Sequence, residues 1–129
     1  MGEITSNSIL SDVKKYIGLN PDEVDEFFDS SIISGINTSI SELAQLGLRN
    51  LGEFIVQDAS ATWDELLGEE YAYVYAFAKN YVEINTRMLF DPPQSGSLST
   101  TLKDQLAKAT FNVQTAIEHH NIESEEDKS

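Results

Sequence analysis

"EEYAYVYAFAKNYVEINTRMLF", residues 69–90, decides the fold. Tyr71, Tyr73, Tyr75 and Phe77 alternate with alanine and valine, which over seven residues is the pattern of a half-buried strand. Over the whole stretch a helix explains more. Tyr71, Val74, Tyr75, Ala78, Tyr81, Val82, Met88 and Leu89 fall on one stripe at steps of three and four, and Tyr73, Phe77 and Ile84 fall on a second. Lys79, Glu83, Arg87 and Asp91 stand four apart, a ladder of alternating charge that a helix brings together. No hairpin turn interrupts the run, so the segment is predicted to be helical. Two apolar stripes leave little of the circumference for water. Such a helix is either the centre of the core or covered on its second face by another subunit, and both can hold.

The stops on either side are sharp. Downstream, Asp91 precedes Pro92 and is pushed out of the helical region, and Pro93 cannot restore the lost N–H. Asp91, Pro92 and Pro93 are therefore predicted to form a fixed structural corner. After it, Ser97 or Ser99 can cap a last helix running from Leu98 to about His120, with Leu102, Leu106, Ala109, Val113 and Ile117 as its apolar stripe. Upstream, Thr62-Trp63-Asp64-Glu65 fits a capping box in which Thr62 and Glu65 satisfy each other's backbone N–H groups. Thr62, Trp63 and Glu65 thus anchor a short helical turn that Gly68 ends. Trp63 is expected in the core, with a partner-facing position as the alternative.

Further out, Ser8 can cap a short helix over "ILSDVKKYIG", and Gly18 closes it. Asn20 and Pro21 look like the cap and first position of a long second helix. Its stripe is Val24, Phe27, Phe28, Ile32, Ile36, Ile40 and Leu43, and Gly47 ends it. Gly35 lies in a weak stretch, "SSIISGINTS", which predicts a bend or a close helix contact. Residues 48–61 are predicted to form a loop with a short extended piece at Phe54–Val56. The loop is either a presenting surface or a packed crossover. The fold class is thus all-α: a compact bundle of about four helices plus a short helical turn in residues 1–120. A flexible acidic C-terminal tail follows in residues 121–129.

Composition limits the function. With 129 residues and 40% hydrophobic residues the chain fits one domain, and no apolar run approaches the roughly 20 residues of a membrane helix. "MGEITSNSIL" has no basic segment leading into a long apolar run, so no signal peptide is expected. Gly2 and Ser6 match a myristoylation pattern too short to separate from chance. With no cysteine there is neither a disulfide nor a thiolate metal site. Eight basic residues face 22 acidic ones, for a net charge of -14. Gripping nucleic acid needs cations to displace counterions, and Lys14-Lys15 is the single basic pair.

Catalytic patterns are absent. His119 and His120 are adjacent and diverge on a helix, and no carboxylate stands three residues before either. The chain has no G-x-S-x-G, no phosphate-binding glycine loop and no calcium-loop spacing. The expectation is a non-enzyme without cofactor or metal.

The order "ILSDVKKYIGL", "AQLGL", "TWDELLG", then a tyrosine-rich helix ending "RMLFDPP" resembles the small helical head–tail connector proteins of tailed phages, also called adaptor or head-completion proteins. The resemblance spans roughly Ile9 to Ile117 and rests on order and spacing, with "TWDELLG" and "LFDPP" its most specific pieces. It implies a structural virion protein of the neck, between capsid and tail, present in the host cytoplasm before assembly. It implies a ring of copies, typically a dodecamer, on the portal protein, extending the DNA channel and offering a landing surface for the stopper or tail-completion protein. DNA would pass without specific binding, and no membrane is involved. Twelve copies would carry about -170 charges, which must face water, the lumen or basic partner patches.

Within that resemblance, Tyr73 and Phe77 are assigned to the subunit interface. Thr110, Val113, Gln114, Ile117 and His120 are assigned to portal docking. Asn50, Phe54, Gln57 and Asp58 are assigned to a stopper-side loop. The alternative function is a free acidic helical protein, such as a DNA mimic, that binds a basic partner. A mimic needs carboxylates in rows on one surface, whereas the densest cluster here, Asp22–Asp29, sits at a predicted helix start.

Overall fold

The computed structural model describes residues 7–90 and 96–128, with side chains through residue 124. Five α-helices succeed one another: α1 (Ile9–Ile17), α2 (Glu26–Leu46), α3 (Trp63–Leu67), α4 (Tyr75–Phe90) and α5 (Gly96–Lys128). Two short 3-10 turns, Arg49–Glu53 and Ala72–Val74, lie between them. Among the described residues the only extended pairing is one isolated antiparallel bridge, Ser8 with Thr62.

The helix ends follow capping chemistry. Ser8 caps α1, its side chain accepting from the Ser11 N–H, and Gly18 ends it in the left-handed region at φ 101°. Thr62 Oγ1 accepts from the Glu65 N–H at 3.1 Å while Glu65 Oε1 accepts from the Thr62 N–H at 2.9 Å. Trp63, just inside that cap, is 1% exposed, so it belongs to the core and not to a partner surface.

The start of α2 departs from the sequence reading. Asn20 does not cap a helix that begins at Pro21. Its side chain instead accepts from the Asp22 N–H at 2.9 Å, a local turn that competes with helix. The helix starts at Glu26, capped by Asp25, whose Oδ1 accepts from the Phe28 N–H at 3.0 Å. The later start takes Val24 off the helix and out of the expected stripe, whereas Phe27 and Phe28 are on the helix in either reading. Ile32, Ile36, Ile40 and Leu43 are buried as anticipated, but Val24, Phe27 and Phe28 face solvent.

What holds the segment before α2 is Lys14. Its ammonium is buried, pairs with Asp29 Oδ1 at 2.9 Å and donates to the Glu23 carbonyl. One lysine therefore ties α1, the 20–25 segment and the first turn of α2 together. Half of the chain's single basic pair is spent inside the molecule.

The central element is α4, which packs against α2, α5 and α1. It begins at Tyr75 and not at Glu69, because Gly68 adopts φ 53° and a 3-10 turn intervenes. Ala78, Val82 and Ile84 are buried on it, as is Val74 in the turn before it. The weak stretch of α2 is a close crossing with α4. A Cβ on Gly35 would stand 3.1 Å from Thr86 Cγ2, so only glycine admits this approach without a shift.

A polar network seals the same seam. Asn85 Nδ2 donates to Ser39 Oγ at 3.0 Å and to Glu42 Oε1 at 2.8 Å, and the Tyr81 hydroxyl donates to the same Glu42 oxygen at 3.0 Å. Ser39 Oγ in turn donates to the Gly35 carbonyl at 2.8 Å. Each buried polar group in the seam has a partner, which fixes the register of α2 against α4.

Two further differences concern the ends of elements. Residues 48–61 are pinned to the core at Leu48, Leu51 and Val56, and most of the positions between and after these are exposed. After the 3-10 turn, Val56 is buried and its backbone is gripped in both directions by the Asn37 side chain, at 2.8 and 3.0 Å. The last helix does not stop at His120 but continues to Lys128, so most of the segment expected to be a flexible tail forms further turns of α5. The corner Asp91, Pro92 and Pro93 lies outside the described residues.

Candidate interaction surface

Polar clusters account for themselves structurally. Among the described residues no group of three or more His, Asp or Glu is placed to hold a metal. His119 Nδ1 lies 3.3 Å from Glu123 Oε1, one helical turn on, and His120 stacks on Tyr73 with ring centroids 3.8 Å apart. The Tyr75 hydroxyl donates to Asp64 Oδ1 at 2.8 Å, and burial, then that bond and the charge of Asp64, push its pKa up to about 12. Burial and the bond to Glu42 likewise raise that of Tyr81.

Across the α1–α4 contact Glu83 meets Asp12. Burial first, then the hydrogen bond and the charge of Asp12, push the Glu83 carboxyl up to about 8, with Lys79 opposing. This cluster lies along the seam between the two helices, with Lys79 Nζ 3.9 Å from Asp12 Oδ1.

What the surface offers instead is apolar area. The Phe28 ring meets Phe90 edge-on at 6.0 Å and Phe27 at 5.6 Å. With Leu89 these side chains line a groove of about 440 Å³ between the first turns of α2 and the end of α4, floored by Gly35 and Ser31. Phe27 is 73% exposed and Leu89 52%. Isolated apolar side chains on a surface are ordinary, but a contiguous aromatic cluster marks a contact site. The sequence reading assigned Phe27 and Phe28 to the core. The missed signal was their adjacency: two neighbours on a helix cannot both face one narrow stripe.

The residues assigned from sequence divide among several places. Tyr73 is half-buried under His120 and Phe77 stays exposed; together they line a groove of about 320 Å³ against α5, with Ala116 on the far side. The second stripe of the tyrosine helix is thus covered in part by the chain's own last helix, and Ile84 on it is buried.

On α5, Val113 is in the core at 0% exposure, which removes it from any docking surface of the folded chain. Ile117 packs into the space left by Gly47, and Thr110 returns its hydroxyl to the Leu106 carbonyl at 2.9 Å. Gln114 and His120 are exposed, and so are Phe111 and Ile122, which the sequence reading passed over.

In the crossover, the Asn50 N–H donates to the Tyr71 hydroxyl and its side chain to Glu70, while Phe54 is half-buried. Gln57 and Asp58 lie elsewhere, on the edge of a groove with Val24 and Ile33.

A family profile described as phage connector protein matches residues 9–120, nearly all of the helical body. No curated protein and no solved structure matches the chain.

Proposed function

This chain belongs to the phage connector protein family, and from that premise we propose that it is a head–tail adaptor that forms a ring on the portal. Membership carries a structural role in the phage particle, contact with other virion assembly proteins and a place in the neck. No helix among the described residues is long and apolar enough to cross a membrane.

In the proposed role the folded monomer binds a preassembled portal ring, which raises the local concentration of neighbouring copies and makes their contacts effectively intramolecular. The observation that carries this reading is the family match, supported by aromatic surface that one chain leaves uncovered at Phe27, Phe28 and Leu89. These residues, with Phe77 and Tyr73, are proposed to pack between subunits. The exposed part of α5, including Gln114 and His120, is proposed to face the portal. Gln57 and Asp58 are proposed to face the stopper. Asp91, Pro92 and Pro93 are proposed to set the direction in which α5 leaves the body. The net charge of -14 suits a channel wall that lets DNA slide without adhering.

Co-sedimentation tests the reading. The protein should pellet with portal rings and remain in the supernatant with an unrelated DNA-binding protein of matched basic charge. Salt-sensitive binding to the DNA-binding protein, with none to portals, would turn the assignment towards a DNA mimic.

A further inference from the structure

The groove that holds Gln57 and Asp58 has a composition unlike the aromatic one. Leu10, Ile33 and Ala59 supply apolar lining, Val24 stands at its edge, and Glu26 and Asp58 are among its acids. Its volume is about 380 Å³, enough for one or two side chains of a partner. Val24 is 85% exposed, the most exposed large apolar side chain among the described residues.

Val24 is also held. The residue before it has its carbonyl bound by the buried Lys14 ammonium, Asn20 fixes the turn four residues back, and Asp25 is committed to capping α2. The fold thus fixes the backbone around an apolar side chain that contributes almost nothing to its own core. A preorganised anchor of this kind loses little freedom when a partner covers it.

The charge around the groove is one-sided. Glu26, Asp29 and Asp58 line it, and Asp22, Glu23 and Asp25 are exposed in the chain segment on either side of Val24. Lys14, the cation fixed beneath this edge, is buried and already paired with Asp29. An uncharged apolar ligand would gain from the floor alone, and an acidic one would be repelled. A ligand that satisfies floor and rim together is an apolar residue flanked by cations.

We infer that the groove between Val24 and Asp58 docks a partner protein's segment in which a buried apolar anchor is flanked by Lys or Arg. The inference rests on the connector reading for the source of that segment, a neighbouring protein of the neck. Its chemistry stands on the groove alone. Complementary charge would speed encounter and set register, and the apolar anchor would supply most of the affinity.

The test uses the full chain, isotope-labelled, with three synthetic hexapeptides: a central leucine flanked by lysines, the same leucine flanked by glutamates, and a serine flanked by lysines. The leucine–lysine peptide should shift the amide resonances of Val24, Ile33 and Ala59. The serine peptide should bind about tenfold more weakly, the factor expected from losing a buried leucine. Binding should weaken as salt is raised through the range where the Debye length falls below about 8 Å. Val24→Ser should lose the shifts without unfolding, since the side chain is exposed, and Glu26→Gln with Asp58→Asn should reduce the lysine preference. Equal binding of the glutamate peptide, shifts centred elsewhere, or no shift at millimolar peptide would overturn the inference. None of these results bears on whether the protein forms rings on portals, so the two readings fail separately.

Discussion

Replacing Lys14 by methionine probes the contact on which the fold's first third depends. The ammonium lies 2.9 Å from Asp29 Oδ1, with the two side chains 6% and 15% exposed, and it also donates to the Glu23 carbonyl. Methionine fills a similar volume but leaves the carboxylate facing a cation that is gone. Breaking a buried pair from one side costs about 3–5 kcal/mol. Asp29 keeps some access to water, so solvent screening brings the cost to the bottom of that range or just below it, about 2–3 kcal/mol. Urea unfolding followed by fluorescence of Trp63, the chain's single tryptophan and fully enclosed, measures it directly. With typical urea slopes the midpoint should fall by about 1–2 M. Adding Asp29→Leu removes the stranded charge, and the double variant should recover more than half of the loss. A single-variant loss under about 0.5 kcal/mol, or a double variant worse than the sum of its parts, would refute the claim that this pair pins α1 to α2.

Other perturbations test other parts. Asn85→Ala removes two donated hydrogen bonds at a site 7% exposed, one to Ser39 Oγ and one to Glu42 Oε1. It should cost about 2 kcal/mol in the same unfolding assay. Glu83 is a carboxyl whose pKa rises on folding, from 4.5 to about 8, so the folded state holds the proton more tightly. Its contribution is fully present below about pH 4.5 and is lost as the pH rises through about 8. Stability should therefore decline across that window, and Glu83→Gln should flatten the decline; a slope unchanged by the substitution would show that Glu83 is not its source. Phe27→Ser should leave stability within about 0.5 kcal/mol, because the ring is largely exposed, while lowering the yield of portal-bound rings seen by electron microscopy.

Local chemistry was legible in the sequence where it had no competitor. The capping box at Thr62 and Glu65 and the cap at Ser8 follow from side chains acting on backbone N–H groups three residues away, and the stops at Gly18 and Gly47 follow from the positive φ that glycine adopts without strain. The helical reading of the tyrosine-rich segment rested on periodicity over four turns, long enough to outweigh seven alternating residues. The start of α2 was not legible. Asn20 and Asp25 both offer cap chemistry, and the choice between them depends on Lys14, nine residues before Glu23 and on another helix.

That one misplacement propagated to the surface. With α2 starting at Pro21, Val24 read as core; Phe27 and Phe28, neighbours on the helix in either reading, were put on one stripe, and the two grooves these residues border were invisible. Val113 failed in the opposite direction. It was counted both in the apolar stripe of the last helix and in its docking face, and packing allows only the first. Exposure of individual apolar residues depends on which helix covers which face, and periodicity within one segment carries no information about its neighbour.

Electron microscopy of portal rings mixed with this protein tests the central claim most directly. The account predicts an added ring of density on the portal, coaxial with the channel and built from copies that touch through the aromatic surface of α2 and α4. Portals that stay bare at saturating protein, while the same protein remains folded and monomeric, would contradict it.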